Sequence, residues 1–217
     1  MSYLRLALLI VSAAGAAAAE SGVKIEIEND WVRVLRVIEA PHESVSMGLS
    51  AGPEVVVALT DFRVRATLAD GAVRQIAHQA GDVYYVEAAR HALSEENPSD
   101  VPMQAVIVEL KPQRREPAVI ALDPVKLDPE HHPVILENGQ VRVLRTILEP
   151  HLKSPMHEHP HYVVVYLTDL HTTMKLADGK TIDNLRRPGE VAWRDALRHQ
   201  TENVGEHTAV EIQIELK

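Results

Sequence analysis

Glu28-Asn29-Asp30-Trp31-Val32-Arg33-Val34-Leu35-Arg36 returns as Glu137-Asn138-Gly139-Gln140-Val141-Arg142-Val143-Leu144-Arg145. The offset of 109 continues to Pro41-His42 against Pro150-His151, and ten of the fifteen positions from Glu28 to His42 are identical. So many matches at one fixed offset mark an internal repeat. After one deletion the offset becomes 108. Val55-Val56-Val57-Ala58-Leu59-Thr60-Asp61 then matches Val163-Val164-Val165-Tyr166-Leu167-Thr168-Asp169, and Leu68-Ala69-Asp70-Gly71 matches Leu176-Ala177-Asp178-Gly179. Gly81 and His91 fall opposite Gly189 and His199, and Glu109-Leu110-Lys111 recurs as Glu215-Leu216-Lys217. The chain divides into a leader, 1–19, a first copy, 20–111, a connection, 112–130, and a second copy, 131–217.

Each copy reads as all-β. Val23-Lys24-Ile25-Glu26-Ile27 and Val210-Glu211-Ile212-Gln213-Ile214-Glu215-Leu216 alternate apolar and polar side chains, the period of a strand with one buried face. Asp70-Gly71 and Asp178-Gly179 lie between runs of β formers, where Asp-Gly accommodates the positive φ of a tight hairpin. Many short strands at such spacings predict a sandwich or barrel. Pro112, Pro117, Pro124 and Pro129 punctuate the connection, which reads as a linker or an arm across a sheet; Ala118–Leu122 could add an edge strand.

Composition removes several function classes. The net charge of −9, from 22 basic and 31 acidic side chains, opposes nucleic-acid binding, which needs clustered cations. With no cysteine there are no disulfides, thiolate metal sites or Cys nucleophiles. An apolar fraction of 46% is that of a globular chain. Arg5, the apolar run Leu6–Val11 and the small residues Ala17-Ala18-Ala19 before Glu20 have the order of a cleaved export signal. The expected mature protein is periplasmic or secreted and without a membrane span.

Nine of the twelve histidines lie in the second copy. The densest run is Ser154-Pro155-Met156-His157-Glu158-His159-Pro160-His161-Tyr162. His157 and His159 share a face of an extended strand, and neutral imidazole is a common metal ligand. His199 follows Gly189 by ten residues, with Asn203 four beyond. His131-His132, beside Pro133, reads as a loop pair without function, and Glu158 as a solvated residue on the opposite face. Arg33, Arg36, Arg142 and Arg145 occur in both copies and read as scaffold.

The spacing of these histidines resembles the two motifs of the cupins, β-barrels of jelly-roll type. His157-Glu158-His159-Pro160 is similar to their His-x-His core, and Gly189 with His199-Gln200-Thr201-Glu202-Asn203 to their second motif. The repeat then resembles a bicupin, implying two tandem jelly-roll barrels over the whole mature chain. Two positions depart from the pattern. The family's glycine before the first His is His151, expected in a turn, and its glutamate falls on Val163 or Val164. The resemblance implies a divalent metal (iron, zinc, nickel, copper or manganese) on His157, His159 and His199. His161 has the strand parity of a further ligand and ranks second, because Pro160 intervenes and can bend the strand. The first copy has Gly48, Ser50 and Pro53 against His157, His159 and His161, so its barrel is expected to be metal-free, with His91 buried and hydrogen-bonded.

Two function classes follow. One is a metal-dependent enzyme acting on a small organic molecule, most sharply a dioxygenase, whose pocket Tyr166, Trp193, Glu211 or Gln213 would line. The other is a module that binds a small molecule or metal without chemistry. A third option, an epimerase-type cupin, needs a carboxylate beside a pocket His, for which Asp195 is the candidate. The catalytic residue itself is not identified, and the assembly is a monomer or homodimer. Expressed with its leader, the exported protein should begin at Glu20 on N-terminal sequencing; Met1 or Ser2 there refutes cleavage.

Overall fold

A computed structural model describes residues 20–46, 52–88, 92–112 and 119–217. The leader 1–19, Gly48, Ser50, His91 and Ala118 lie outside the described residues.

The first copy forms nine strands: β1 (Gly22–Glu28), β2 (Val32–Glu39), β3 (Ser44–Ser46), β4 (Glu54–Ala58), β5 (Phe62–Leu68), β6 (Val73–His78), β7 (Val83–Val86), β8 (Ala92–Glu96) and β9 (Met103–Leu110). They make a five-stranded sheet β1-β2-β9-β4-β7 and a four-stranded sheet β3-β8-β5-β6, antiparallel throughout. A one-turn helix, α1 (Pro124–Leu127), follows, capped by the Asp123 side chain. The second copy repeats the set as β10 (Val134–Glu137), β11 (Val141–Leu148), β12 (His157–His159), β13 (Tyr162–Tyr166), β14 (Leu170–Leu176), β15 (Thr181–Arg186), β16 (Val191–Arg194), β17 (Leu197–Asn203) and β18 (Ala209–Leu216). Its sheets run β10-β11-β18-β13-β16 and β12-β17-β14-β15, the same order strand for strand.

The expected Asp-Gly hairpins join β5 to β6 and β14 to β15, with Gly71 at φ 80° and Gly179 at φ 86°. His42 and His151 both hold positive φ in matching turns, so His151 sits in the turn expected of it. Residues 119–122 form no strand, unlike the expected edge strand; they run as an arm toward the second barrel.

The largest core lies between the copies. Val32, Val34, Val55, Val57, Val106 and Val108 pack with Val141, Val143, Val163, Val165, Ile212 and Ile214, so the two five-stranded sheets meet face to face. Those strands are consequently buried on both faces: β4 and β13 expose no residue at all. Reciprocal contacts flank this seam. Arg36 donates to the Gly189 carbonyl and Arg145 to that of Gly81, at 2.6 Å in the second case. Gly81 and Gly189 adopt φ 86° and 82°, and each carbonyl is held by the other copy's arginine. Arg36 also pairs with Glu26, Arg33 with Glu109 and Arg142 with Glu215, the scaffold role expected of these arginines.

The barrel interiors differ. The first is packed with Leu35, Val37, Val56, Ala58, Phe62, Val64, Met103, Ala105 and Ile107. At its rim Glu39 is fully buried, and its carboxylate has no hydrogen-bond partner among the described residues. Burial, reinforced by Glu95, raises this carboxyl to about 8, and burial with Glu54 raises Glu95 to about 7. An unfolded chain releases these protons near 4–5, so folding holds extra protons between about pH 5 and 8 and stability falls as pH rises through that window. Glu39→Gln should flatten that slope and raise the melting temperature at pH 8 more than at pH 5; equal gains at both would refute the assignment.

Candidate metal centre

The chain places His157 and His159 on one face of β12, directly across from β17, where His157 pairs with His199. The three rings are 1–2% exposed and their centroids lie 4.5 to 5.3 Å apart. One ring nitrogen from each falls within 4.8 Å of the others, a convergence unique among the described residues.

The outward nitrogens are already committed. His157 Nδ1 donates to the Pro155 carbonyl at 2.8 Å, His159 Nδ1 meets the Glu215 carboxylate at 2.7 Å, and His199 Nδ1 meets Thr201 Oγ1 at 3.2 Å. A carbonyl only accepts, so His157 carries its proton on Nδ1, and Nε2 presents a lone pair. The same tautomer at the other two aims three Nε2 atoms inward, all buried and without partners. Burial lowers the basicity of His157, and burial together with the neighbouring imidazoles lowers His159 and His199 well below the ordinary 6.5. The rings are therefore neutral ligands at pH 7. Three converging, unpaired buried acceptors cost about 1–3 kcal/mol each unless something binds them. This donor set fits a divalent metal ion with positions left open.

No carboxylate occupies the position of the family's glutamate: Val164 faces the interior and Val163 the seam. Glu215 stands behind His159 and is itself held by Arg142, which Asp123 grips at 3.0 and 3.1 Å. Burial pushes the Glu215 carboxyl up against the pull of Arg142. A metal ligand is thus tied through two charged residues to the arm between the copies.

That arm does more than link. Glu158 is not solvated as expected; its carboxylate accepts from the Ala121 and Leu122 amides at 2.8 and 3.1 Å and from Arg198 at 2.7 Å. Its own amide donates to the Leu122 carbonyl at 2.9 Å. His132, expected to be an idle loop residue, is 1% exposed, with its ring 5.0 Å from His157 and 6.4 Å from His159. Its Nδ1 donates to the Asp128 carbonyl, and burial beside His157 lowers its pKa to about 4. The missed signal lay in the repeat: at the offset of 109 His132 falls on Val23, a polar-for-apolar exchange.

His161 is not with the other three. Pro160 ends β12 and shifts the alternation, so the interior residues become Tyr162, Val164 and Tyr166. The His161 ring turns to the seam between Trp31 at 4.5 Å and Trp193 at 5.6 Å, and its Nδ1 accepts from the Ala196 amide at 3.3 Å. Trp193 packs on the seam core, whereas Tyr166, Glu211 and Gln213 are buried inside the barrel. Asp195 is exposed and accepts from the Trp193 indole, so it is not the carboxylate beside a pocket His; Glu215 is. His199 lies opposite Leu176 on β14; the matching residue Leu68 lies opposite Ala92, past a register shift that follows Thr67. Asn97 and Asn203 do correspond, each bridging a β2-type strand end to the following loop through Nδ2.

Because Glu158 gathers both amides, Glu158→Ala should release the arm. Hydrogen exchange at Ala121 and Leu122 should then accelerate while β13 stays protected; unchanged exchange refutes the clamp.

No family model and no curated protein matches the sequence. Solved structures do match. AerE from Microcystis aeruginosa superposes with a TM-score of 0.63 at 10% identity, over 91% of this chain and 98% of that one. A cupin 2 conserved barrel domain protein from Leptotrichia buccalis gives 0.56 at 12% identity, over 93% and 91%. Oxalate decarboxylase of Bacillus subtilis, a protein with Mn(II) centres, gives 0.57 at 13% identity, over 86% and 69%. At these identities the likeness is one of fold, and together with the duplicated strand order it gives the chain two tandem barrels of the cupin fold in one polypeptide.

Proposed function

We propose that this chain is an exported bicupin whose second barrel holds a divalent first-row metal on His157, His159 and His199 and uses it as a dioxygenase on a small organic substrate. The observation that carries this reading is the convergence of three buried, unpartnered Nε2 atoms. Such an ion, when bound, supplies positive charge and open positions for dioxygen and a substrate heteroatom. The residues around it supply the rest. Glu215 and the Pro155 carbonyl fix the tautomers of His159 and His157, and Thr201 orients His199. The Tyr162 ring, 4.8 Å from that of His159, and His132 keep bulk water from the ligands' flank. With valine at the family's glutamate position, the ion keeps its full charge, which favours an anionic substrate over a neutral one.

The runner-up is a barrel that binds a metal or small molecule without turning it over. The polar interior beyond the histidines, described below, suits either reading. Purified protein loaded anaerobically with ferrous iron, and separately with manganese or zinc, should consume oxygen with one member of a panel of thiols, diketones and small acids. A stoichiometric metal with no oxygen uptake across the panel overturns the dioxygenase and leaves the binding module. His157→Ala should lose the metal by elemental analysis. Glu215→Gln should weaken metal affinity about 10- to 100-fold in chelator competition, and His161→Ala should leave it unchanged. Equal metal in wild type and His157→Ala refutes the site.

A further inference from the structure

Matched strand by strand, the two barrels show where their walls differ. On β9, Ile107 lies between Leu35 and Val56; on β18, Gln213 takes that place between Leu144 and Val164. By the same register Ala105 becomes Glu211 and Val37 becomes Thr146. Val64 and Ile76 become Thr172 and Asn184, and Val86 becomes Arg194. Six apolar wall positions are thus polar in the barrel that contains the three histidines. A well-packed core gains nothing from such exchanges unless the groups are used, because each must find a partner on burial.

Several have none. Gln213 is 3% exposed and its Oε1 is unpaired, its Nε2 being spent on Glu211 at 2.7 Å; Thr146, 2% exposed, has an unpaired Oγ1. Arg194 brings a full positive charge to the wall beside Tyr162. Its contacts are long, 3.4 Å to the Tyr166 hydroxyl and 3.5 Å to Asn184 Oδ1, and among the described residues no carboxylate pairs with it. Both of these partners are buried in the barrel wall, which places the guanidinium toward the barrel interior. Three other arginines of this barrel are engaged: Arg142 by Glu215 and Asp123, Arg198 by Glu158, and Arg186 by Asn184 with Glu190 near it. A half-buried guanidinium without a carboxylate partner is a fork suited to one.

We propose that the second barrel takes a small hydroxycarboxylic acid, its carboxylate held by Arg194 and its hydroxyl donating to Gln213 Oε1 beside Thr146. The assignment rests on the metal-centre reading for the reacting end of the ligand only; Arg194 and Gln213 recognise the acid by themselves.

The test is calorimetric titration of the purified protein, metal-stripped and zinc-loaded, with glycolate, acetate and ethylene glycol. Glycolate should bind best, acetate several-fold more weakly, and ethylene glycol not at all at millimolar concentration. Arg194→Gln should weaken glycolate about tenfold or more, Arg194→Lys less, and Gln213→Leu should reduce glycolate to the level of acetate. Metal content should be that of wild type in all three, which also reports that each variant is folded. Wild type that ignores glycolate, binds ethylene glycol equally well, or is matched by Arg194→Gln overturns the proposal. A protein that takes up no metal yet loses glycolate with Arg194→Gln sinks the metal centre and upholds the acid site.

Discussion

The contact between the two five-stranded sheets is the constraint on which the rest depends. Valine and isoleucine from both copies interlock there, and full burial of each such side chain is worth about 1.5–3 kcal/mol. Summed over a dozen residues this exceeds any ion pair at the rim, so Arg36 and Arg145 set the alignment of the copies while the aliphatic layer supplies the adhesion. Burial on both faces also fixes register, because a slip by one residue would exchange the interior and seam sides of every strand. On β18 that alternation sends Ile212 and Ile214 to the seam and Glu211, Gln213 and Glu215 inward. The polar ladder of the second barrel is therefore held in place by the apolar ladder on its back.

The same logic separates the copies. Adhesion is shared equally, so either interior can change as long as the outer face is kept. The first is filled by apolar side chains; the second carries histidines, an unpaired amide oxygen and a guanidinium. The arm between the copies belongs with the second. Asp123, through Arg142 and Glu215, reaches His159, and Leu122 clasps the residue between His157 and His159.

Much of this was readable beforehand. The repeat, the hairpins at Asp70-Gly71 and Asp178-Gly179, and the His-x-His face all follow from local pattern, and they gave the barrels and the three imidazoles. His161 has a ligand's parity only if the alternation runs through Pro160, whose missing amide ends β12 and resets the phase. Trp193 and Asp195 misled because their side of the sheet depends on the other copy, and no local signal reports a partner a hundred residues away. Glu158 and His132 acquire their roles only when the arm folds back. Long-range contacts of that kind leave no period. The two copies compared position by position do carry such a signal, since Ile107 falls against Gln213 and Ala105 against Glu211.

The crossed arginine–glycine clasps have a further consequence. Two identical barrels meeting through a two-fold seam must carry every substitution twice, so a change that opens one interior opens both. Joined in a single polypeptide, they meet at a local concentration fixed by the tether, however dilute the protein. One barrel can then specialise at the expense of its own packing while its twin supplies ballast, a division of labour closed to a symmetric pair.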